Sequence, residues 1–340
     1  MREAIGVRRC VRHLFAGVVS AGLAACSGEA TKSLSPLATP PSHATQAATY
    51  DCAVDQSEIP VIECRALVAL YTSTNGASWT NGTGWLQSAT PCSWFGVGCD
   101  SGHVASIQLY LNNLAGALPS ELGNLSQYFT HLYLAGNLLT GAIPSSLGSL
   151  TSLTSLQLGF NQLTGPIPES YRALTNLQSL GLQYSGLTGR IPSWLGSLSN
   201  LRELFLLGNQ LTGSIPESLG SLTNLQYLSL QWNQLTGKLP AWLGSLPNLI
   251  SLSLAGNQLT GNLPSSLTNL RSLLFLDLSA NQLSGDIRLP MAQWLGIVDS
   301  KNFGCYLHGN SGLALGGGGP SYRAADLNHD GFICGLGFTN

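Results

Sequence analysis

The sequence predicts an α/β solenoid, a right-handed superhelix in which short parallel strands form a concave sheet. A repeated skeleton, LxLxxNxLxGxIP, supports this fold because its asparagine returns at intervals of 24 residues through most of the chain. The leucines support it too, since the two leucines of LxL point to the same side of a strand and bury against neighbouring copies. We therefore expect eight stacked repeats of 24 residues over residues 104–287.

The asparagine of the skeleton fixes the register of the repeats. Its side chain can satisfy backbone groups that the turn leaves unpaired inside the stack. Ser185 occupies the position where this asparagine is missing, so we expect a local weak point there, and the copy with Asn112 is one residue out of phase. The remaining asparagines of the series are Asn137, Asn161, Asn209, Asn233, Asn257 and Asn281.

The period and the leucine spacing resemble those of leucine-rich-repeat proteins. The run LTGSIP at residues 211–216 further resembles the plant-type subclass, which bacteria also carry. This resemblance implies a second strand at the end of each repeat and a twisted superhelix. We interpret the chain as a bacterial protein of this type.

Charged residues are scarce in this chain. They make up 9% of it, against about 25% in an ordinary soluble domain, and the net charge is -2. The surface must therefore consist mainly of Ser, Thr, Asn, Gln and Gly. Such a surface excludes nucleic acid and anionic lipid headgroups as partners, because it offers them no positive field. We expect a monomer that contacts a membrane only through a lipid anchor.

Residues 1–25 have the layout of a secretory signal peptide. Several arginines precede an apolar run over residues 14–25, which is too short to span a bilayer. The run LAAC at residues 23–26 resembles the bacterial lipobox, which implies that Cys26 is lipidated. Ser27 resembles the pattern that directs such proteins to the outer membrane. The predicted location is the cell envelope, with a lipid anchor in the outer membrane; secretion after a plain signal is the alternative.

Two segments separate the signal from the repeats. Residues 26–50 are rich in Ser, Thr, Pro and Ala, so we expect a flexible tether. Residues 51–103 lack the repeat and predict an N-terminal cap with a helix over residues 59–71. Residues 75–100 resemble the cap of plant-type leucine-rich-repeat proteins, in which Trp covers the open end of the solenoid and Cys locks it. The tryptophans that this resemblance assigns to the cap core are Trp79, Trp85 and Trp94.

Six cysteines outside the signal peptide indicate disulfides and hence an oxidising compartment. Several connectivities are formally allowed, but a rod keeps its two ends apart, so the last two cysteines are expected to pair with each other. Six free thiols are the alternative. Along the sequence the cysteines group as Cys52 with Cys64, Cys92 with Cys99, and Cys305 with Cys334.

The eighth copy breaks down after Ile287, where Arg288 replaces the expected proline. We expect the solenoid to end there. Residues 288–302 would close its exposed edge, because a terminal repeat needs a covering layer. Residues 303–340 are predicted to form a separate module.

This C-terminal module contains half of a calcium-binding loop. Oxygen-bearing residues alternate in the run DLNHD, and Gly331 permits a sharp bend. The pattern DxNxDGxxC resembles the excalibur calcium-binding region of bacterial surface proteins, although Gly335 stands where that family usually has Glu. A disulfide-stapled turn without metal is the alternative. The implied calcium ligands are Asp326, Asn328, Asp330 and Phe332.

The sequence contains no arrangement that suggests catalysis. It has no HExxH, no GxSxG and no phosphate-cradling glycine loop. Histidines such as His103, His131 and His308 have no acid or thiol partner at a useful spacing. We predict that the protein is not an enzyme.

Side chains between and just after the LxL leucines are expected to face out from the concave sheet. Aromatic residues alternate there with Gln and Ser, which suits a peptide, a protein loop or a glycan, because aromatics supply contact area at low entropic cost. The alternative is that these aromatics only fill the inner curve. The candidate ligand-binding residues are Tyr110, Tyr133, Gln157, Phe160, Gln183, Tyr184, Glu203, Phe205, Tyr227, Gln231, Trp232 and Asp277.

Two functions are consistent with these features. The first is a surface-anchored module that binds a protein or peptide on its concave face. The second is a glycan-binding or structural envelope protein whose tail is stabilised by calcium.

Overall fold

The computed structural model describes residues 50–300, 304–315, 332–333 and 336–337. The predicted signal peptide with Cys26, the tether up to residue 49, and the candidate calcium ligands from Asp326 to Asp330 lie outside the described residues. Cys334 lies outside them too. The roles assigned to these residues stay predictions.

A disulfide-fastened cap precedes the repeats. Its helix α1, Val61–Ser73, begins two residues later than predicted, after Pro60, whose fixed backbone suits the start of a helix. One disulfide joins Cys52 to Cys64 and ties the chain before α1 to the helix, and a second joins Cys92 to Cys99. Both predicted pairings in the cap are confirmed.

The core of the cap is aromatic, as the sequence predicts. Trp85 packs between Trp79 and Trp94, with ring centroids 4.9 and 5.0 Å apart, and all three side chains are buried. Strand β1, Val97–Asp100, then forms an antiparallel hairpin with β2, His103–Gln108. The cap thereby continues directly into the concave sheet of the repeats.

The concave sheet has ten strands, and from β2 onward all its neighbouring strands are parallel. The LxL leucines point into the core; Leu156 and Leu158, for example, are fully buried. Burial of each such side chain stabilises the fold by about 1.5 to 3 kcal/mol. The predicted α/β solenoid is therefore confirmed. The later strands are β4 (His131–Tyr133), β6 (Ser155–Gln157), β8 (Ser179–Gly181), β10 (Glu203–Phe205), β12 (Tyr227–Ser229), β14 (Ser251–Ser253), β16 (Phe275–Asp277) and β18 (Cys305–Tyr306).

The LTG tails of the repeats form further parallel strands, which divide into two sheets. The four-stranded sheet comprises β3 (Ala115–Ala117), β5 (Leu138–Ala142), β7 (Gln162–Gly165) and β9 (Gly186–Leu187). The five-stranded sheet comprises β11 (Thr212–Gly213), β13 (Gln234–Lys238), β15 (Gln258–Gly261), β17 (Gln282–Ile287) and β19 (Gly312–Leu315). Short 3₁₀ helices complete the cap and the repeats: Gly76–Ser78, Pro91–Ser93, Ser120–Asn124, Ser145–Ser149, Glu169–Ala173, Ser193–Ser197, Glu217–Ser221, Ala241–Ser245 and Ser265–Asn269.

The repeated asparagines bridge successive repeats. Asn161, for example, accepts the amide hydrogen of Leu139 at 3.0 Å and donates to the carbonyls of Leu134 and Leu158. Ser185 forms no equivalent bonds, since its buried hydroxyl has no hydrogen-bond partner among the described residues. The two sheets meet after Ser185, where β9 and β11 are joined through a bridge from Arg190 to Thr212 and through backbone hydrogen bonds from Gln210 to Leu187 and from Thr212 to Gly189.

The end of the solenoid differs from the prediction. Helix α2, Leu289–Ser300, buries Met291 and Leu295 as expected, but it does not end the stack. Strands β18 and β19 pair in parallel with β16 and β17. Asn310 also takes the bridging position, because it accepts the amide hydrogen of Leu283 at 3.0 Å. Placing the end of the solenoid at residue 287 is therefore wrong, and residues 304–315 add a ninth turn.

Two described segments follow this ninth turn. Cys305 in β18 is buried and disulfide-bonded, as the sequence predicts for this cysteine. Its predicted partner lies outside the described residues. Strands β20 (Phe332–Ile333) and β21 (Leu336–Gly337) pair antiparallel. Phe332, a candidate calcium ligand, therefore lies in a short hairpin.

Candidate ligand-binding surface

One backbone position in every repeat adopts the left-handed conformation, and it carries the most unusual residues of the concave side. It is the position just before the bridging asparagine or its substitute Ser185. Glycine adopts this conformation at little cost, whereas a bulky side chain there is strained. The members with their φ angles are Leu111 (53°), Gly136 (72°), Phe160 (55°), Tyr184 (48°), Gly208 (66°), Trp232 (56°), Gly256 (61°), Ala280 (50°) and Gly309 (74°).

Three of these strained residues form a row that we call the aromatic ladder: Phe160, Tyr184 and Trp232. The rings of Phe160 and Tyr184 stack with centroids 4.8 Å apart, and the Tyr184 and Trp232 centroids lie 6.1 Å apart. Trp232 comes two repeats after Tyr184, and Gly208 in the intervening repeat leaves room for their contact. A Cβ atom at Gly208 would lie 2.5 Å from Cδ1 of Tyr184. The sequence therefore brings three aromatic rings together by placing two in consecutive repeats and a glycine before the third.

The ladder is partly shielded from water. Burial raises the pKa of Tyr184 to about 12, because the charged phenolate loses more hydration than the neutral phenol. The hydroxyl of Tyr184 therefore stays protonated at neutral pH and can donate a hydrogen bond. Trp232 is the most open member, with 46% of its surface exposed.

Four predicted binding residues are buried, so the expectation that they are exposed is wrong. Strands on the concave side are only about 4.8 Å apart, and long side chains of adjacent repeats therefore cover one another. Gln157, for example, donates through Nε2 to Oγ of Ser179 at 2.7 Å, and Ser179 in turn donates to Oε2 of Glu203 at 2.6 Å. The four buried residues are Gln157, Gln183, Phe205 and Gln231.

The ladder lies beside buried polar atoms that lack partners. Oε1 of Gln183 and Oε1 of Gln231 accept no hydrogen bond within the described part of the chain, and neither does the hydroxyl of Ser229. Leaving such atoms unpaired costs about 1 to 3 kcal/mol each. Gln183 and Gln231 immediately precede Tyr184 and Trp232. Strain and unpaired polar groups thus coincide on this part of the concave surface.

The other predicted residues spread along the concave side. Tyr133, Glu203 and Tyr227 are half-buried on their strands. Tyr110 is exposed in the first repeat, whereas Asp277 lies in the eighth, where its Oδ1 accepts hydrogen bonds from the amide and hydroxyl of Ser279. Tyr110 and Asp277 therefore belong to opposite ends of the face.

A cleft that was not predicted from the sequence lies where the cap meets the first repeat. It has a volume of about 340 Å³ and is lined by Phe95, Gly96, Val97, Gly98, Ser106, Gln108 and Tyr110. Phe95 belongs to the segment that resembles the plant-type cap, and it is exposed. The glycines at 96 and 98 were the available signal, since two residues beside the cleft carry no side chain.

Among the histidines, His103 does have an acidic partner, contrary to the prediction. Nδ1 of His103 lies 2.7 Å from Oε1 of Glu63, and the imidazole stacks on Tyr128. Glu63 is buried in α1, so the pair joins the cap to the first repeat. No group of His, Cys, Asp and Glu suited to hold a metal is found in the part of the chain that the structure describes. Within the same ranges, the helices are too short or too polar to cross a membrane.

Comparisons with known proteins agree with this architecture. Models of the leucine-rich repeat family match residues 127–187, 175–235 and 248–270. One similar structure is the ectodomain of the plant membrane receptor kinase GASSHO1/SCHENGEN3 from Arabidopsis thaliana, in complex with CASPARIAN STRIP INTEGRITY FACTOR 2. The TM-score is 0.58 and the identity 35%, over 68% of this chain and 31% of that ectodomain. The chain thus spans less than a third of that receptor ectodomain.

A second similar structure is a plant ice-binding protein. Its TM-score is 0.55 and its identity 27%, over 79% of this chain and 100% of that protein. The matched repeats, the stacked parallel strands and the disulfide-fastened cap establish that this chain is a leucine-rich-repeat protein.

Proposed function

We propose that this protein is a surface-anchored, non-catalytic module that binds a peptide or a protein loop at the aromatic ladder. The observation that carries the proposal is the left-handed backbone of Phe160, Tyr184 and Trp232. Glycine would occupy these positions with less strain, and backbone strain is commonly retained at functional sites. Binding explains why bulky rings occupy positions that favour glycine.

The chemistry of the ladder supports a partner with an extended backbone. Its rings offer rigid contact area, and Tyr184 offers a hydroxyl donor at neutral pH. The similar receptor ectodomain was solved in complex with another factor, which adds support for a partner here. A protein or peptide ligand is therefore the first candidate.

A crosslinking pull-down from cell-surface extracts tests this proposal. The test variant replaces Phe160, Tyr184 and Trp232 together with Gly, which suits their positive φ angles. The control replaces Thr164, Thr188 and Thr212 with Ala, which alters the same number of exposed side chains away from the concave sheet.

We expect the ladder variant to lose the captured partner and the control to keep it. Equal capture by both variants would contradict the proposal, and loss of the folded state in the ladder variant alone would assign the rings a structural role. A glycan array on the same variants tests the alternative, and ladder-dependent glycan binding would establish it instead.

A second candidate function is adhesion to ice. Exposed threonines recur at the same position of the LTG strands, and exposed glutamines stand beside them; Thr140 pairs with Gln162, and Thr236 pairs with Gln258. Hydroxyl and amide groups repeated at the strand spacing can hydrogen-bond to a periodic solid at many points at once. The similarity to a plant ice-binding protein favours the same possibility.

Inhibition of ice recrystallisation tests this second candidate. Lys at Thr188 and Thr212 would interrupt the row of threonine hydroxyls, whereas the ladder variant leaves this row intact. Activity that disappears with the two lysines and survives in the ladder variant would support adhesion to ice. Activity absent from the unaltered protein would exclude it.

We further propose a lipid anchor at Cys26 in the outer membrane, with a monomeric solenoid held away from it by the tether. Acylation stabilises membrane attachment by about 0.8 kcal/mol for each buried CH₂ group. Replacing Cys26 with Ser should move the protein from the membrane fraction to the soluble fraction. Retention of this variant in the membrane would contradict the anchor and favour another mode of attachment.

We also propose that the C-terminal segment binds calcium through Asp326, Asn328, Asp330 and Phe332. Alternating carboxylate and amide oxygens followed by glycine support this proposal.

A further inference from the structure

Two of the residues that line the cleft between the cap and the first repeat are glycines, Gly96 and Gly98, and both lie close against their neighbours. A Cβ atom at Gly96 would lie 2.5 Å from the carbonyl oxygen of Gln108, and Gly96 also has a positive φ of 81°. A Cβ atom at Gly98 would lie 2.5 Å from Oγ of Ser106. Glycine at these positions therefore allows β1 and the residue before it to approach β2 closely.

The lining of the cleft indicates what it holds. Phe95 and Tyr110 line the cleft and are 41% and 51% exposed, and Val97 adds a third apolar residue. Ser106 and Gln108 supply neutral polar groups, so the whole lining is uncharged. The volume of about 340 Å³ is near the lower limit for ligand pockets. A single neutral ring fits these properties, because aromatic rings pair favourably with aromatic walls.

The cleft also lies in line with the aromatic ladder. Tyr110 directly precedes Leu111, the first residue of the left-handed column, and Trp232 belongs to the sixth repeat of the same column. Five strand spacings of about 4.8 Å give a distance of roughly 24 Å between them. An extended peptide rises about 3.3 Å per residue, so about eight residues would cover this distance.

Charge restricts the peptide further. Two sets of concave positions are relevant over the first six repeats: those that flank the LxL leucines and those of the left-handed column. Glu203 is the carboxylate among them, and none of them is Lys or Arg. The carboxylate of Glu203 already accepts a hydrogen bond from Ser179. A charged peptide would lose hydration here without gaining an opposite charge.

We propose that the ligand is an extended, uncharged peptide of about eight residues, whose aromatic side chain at one end fills the cleft between Phe95 and Tyr110. This inference rests on the proposed binding of a peptide at the aromatic ladder. It adds a terminal subsite, a length and a side-chain preference.

Selection from a display library of random ten-residue peptides tests the inference on the full chain. The selected peptides are then measured against Tyr110→Ala and Gly98→Ala. Gly98 does not have a positive φ, and its Cβ atom would meet only the hydroxyl of Ser106, which can rotate away. The matched control is Tyr306→Ala, because Tyr306 is 40% exposed at the opposite end of the concave sheet.

We expect selected peptides to carry an aromatic residue near one end and to bind both cleft variants at least about tenfold more weakly, as for a central interface residue. The control should keep the affinity of the unaltered protein. Replacing the aromatic residue of the peptide with Ala should weaken binding to the unaltered protein but not to Gly98→Ala.

Peptides that depend on the ladder but bind both cleft variants normally would overturn the inference and leave the proposed function intact. Peptides that ignore the ladder, or a library without binders, would overturn both. Melting temperatures of the two cleft variants exclude unfolding as the cause of weaker binding.

Discussion

Oε1 of Glu63 lies 2.7 Å from Nδ1 of His103, and the second oxygen of the same carboxylate accepts the amide hydrogen of Val104 at 2.7 Å. Glu63 belongs to the cap helix and is 1% exposed, whereas His103 and Val104 begin the first parallel strand. One buried side chain therefore joins the cap to the solenoid.

Removing this carboxylate should loosen the cap. Glu63→Ala leaves the buried amide of Val104 without an acceptor, and we expect a loss of about 2 to 3 kcal/mol in the free energy of unfolding. Unfolding in denaturant measures this loss of stability. Glu169→Ala is the control, because its pair with Arg172 spans 3.7 Å at the surface, and it should change stability by less than about 0.5 kcal/mol. Equal effects of the two substitutions would contradict a joining role for Glu63.

Restoring the missing asparagine should stabilise the solenoid. Ser185→Asn adds an acceptor and donors where the serine hydroxyl has no partner among the described residues, and we expect a gain of about 1 kcal/mol. Asn161→Ser makes the reverse change and should lower the melting temperature. Thermal unfolding followed by circular dichroism measures both. A lower melting temperature in Ser185→Asn would show that the assigned register is wrong.

Strain in the ladder should invert the usual preference for alanine over glycine. Trp232→Gly and Trp232→Ala lose the same ring, but only glycine relieves the positive φ of 56°. We expect the glycine variant to be more stable by about 1 kcal/mol. In the exposed middle of α1, Arg65→Ala should instead be more stable than Arg65→Gly by a similar amount. The same order at both sites would mean that position 232 is not strained.

Alkaline pH should destabilise the ladder. The pKa of Tyr184 is raised to about 12 by burial, above the ordinary value of 10.0. Because folding favours the neutral phenol, its contribution to stability is complete below pH 10 and is lost as the pH rises through about 12. Tyrosine ionisation is followed by ultraviolet absorbance in the unaltered protein and in Tyr184→Phe. The difference between the two titration curves should have its midpoint near pH 12. A midpoint near 10 would contradict the burial of this hydroxyl.

Calcium should raise the melting temperature through the C-terminal segment. Asp330→Ala should abolish the increase at millimolar calcium, whereas Asp286→Ala, on the last long strand of the solenoid, should preserve it. An unchanged melting temperature of the unaltered protein at millimolar calcium would contradict the predicted site. A calcium effect that is lost in Asp286→Ala but kept in Asp330→Ala would place the calcium site on the solenoid instead.

The repeat period was sufficient to predict the buried leucines and the asparagine bridges, because each sequence position maps onto one place in every turn. It failed at the ninth turn. Asn310 follows Asn281 by 29 residues instead of 24, since α2 replaces the short 3₁₀ helix of the other repeats. The sequence CYLHGN at residues 305–310 nevertheless resembles the skeleton, with Cys in place of its first leucine.

Exposure could not be predicted from the position in the repeat alone. Gln231 and Trp232 are adjacent, yet Gln231 is 3% exposed and Trp232 is 46% exposed. The difference depends on the side chains that neighbouring turns place beside them, and Gly256 leaves the space that the Trp232 ring occupies. The glycines at 136, 208 and 256 do mark the left-handed column in the sequence.

The left-handed column has a consequence for how such a protein can evolve. Each bulky residue in it destabilises the fold by about 1 to 2 kcal/mol, while a folded domain is typically stable by only about 5 to 15 kcal/mol. A lineage can therefore keep only a few aromatic residues there at one time. Specificity can still change by exchanging them with the glycines at 136, 208 and 256, while the leucines and asparagines stay constant. Marginal stability, rather than the size of the face, would then limit how many recognition residues the solenoid can carry.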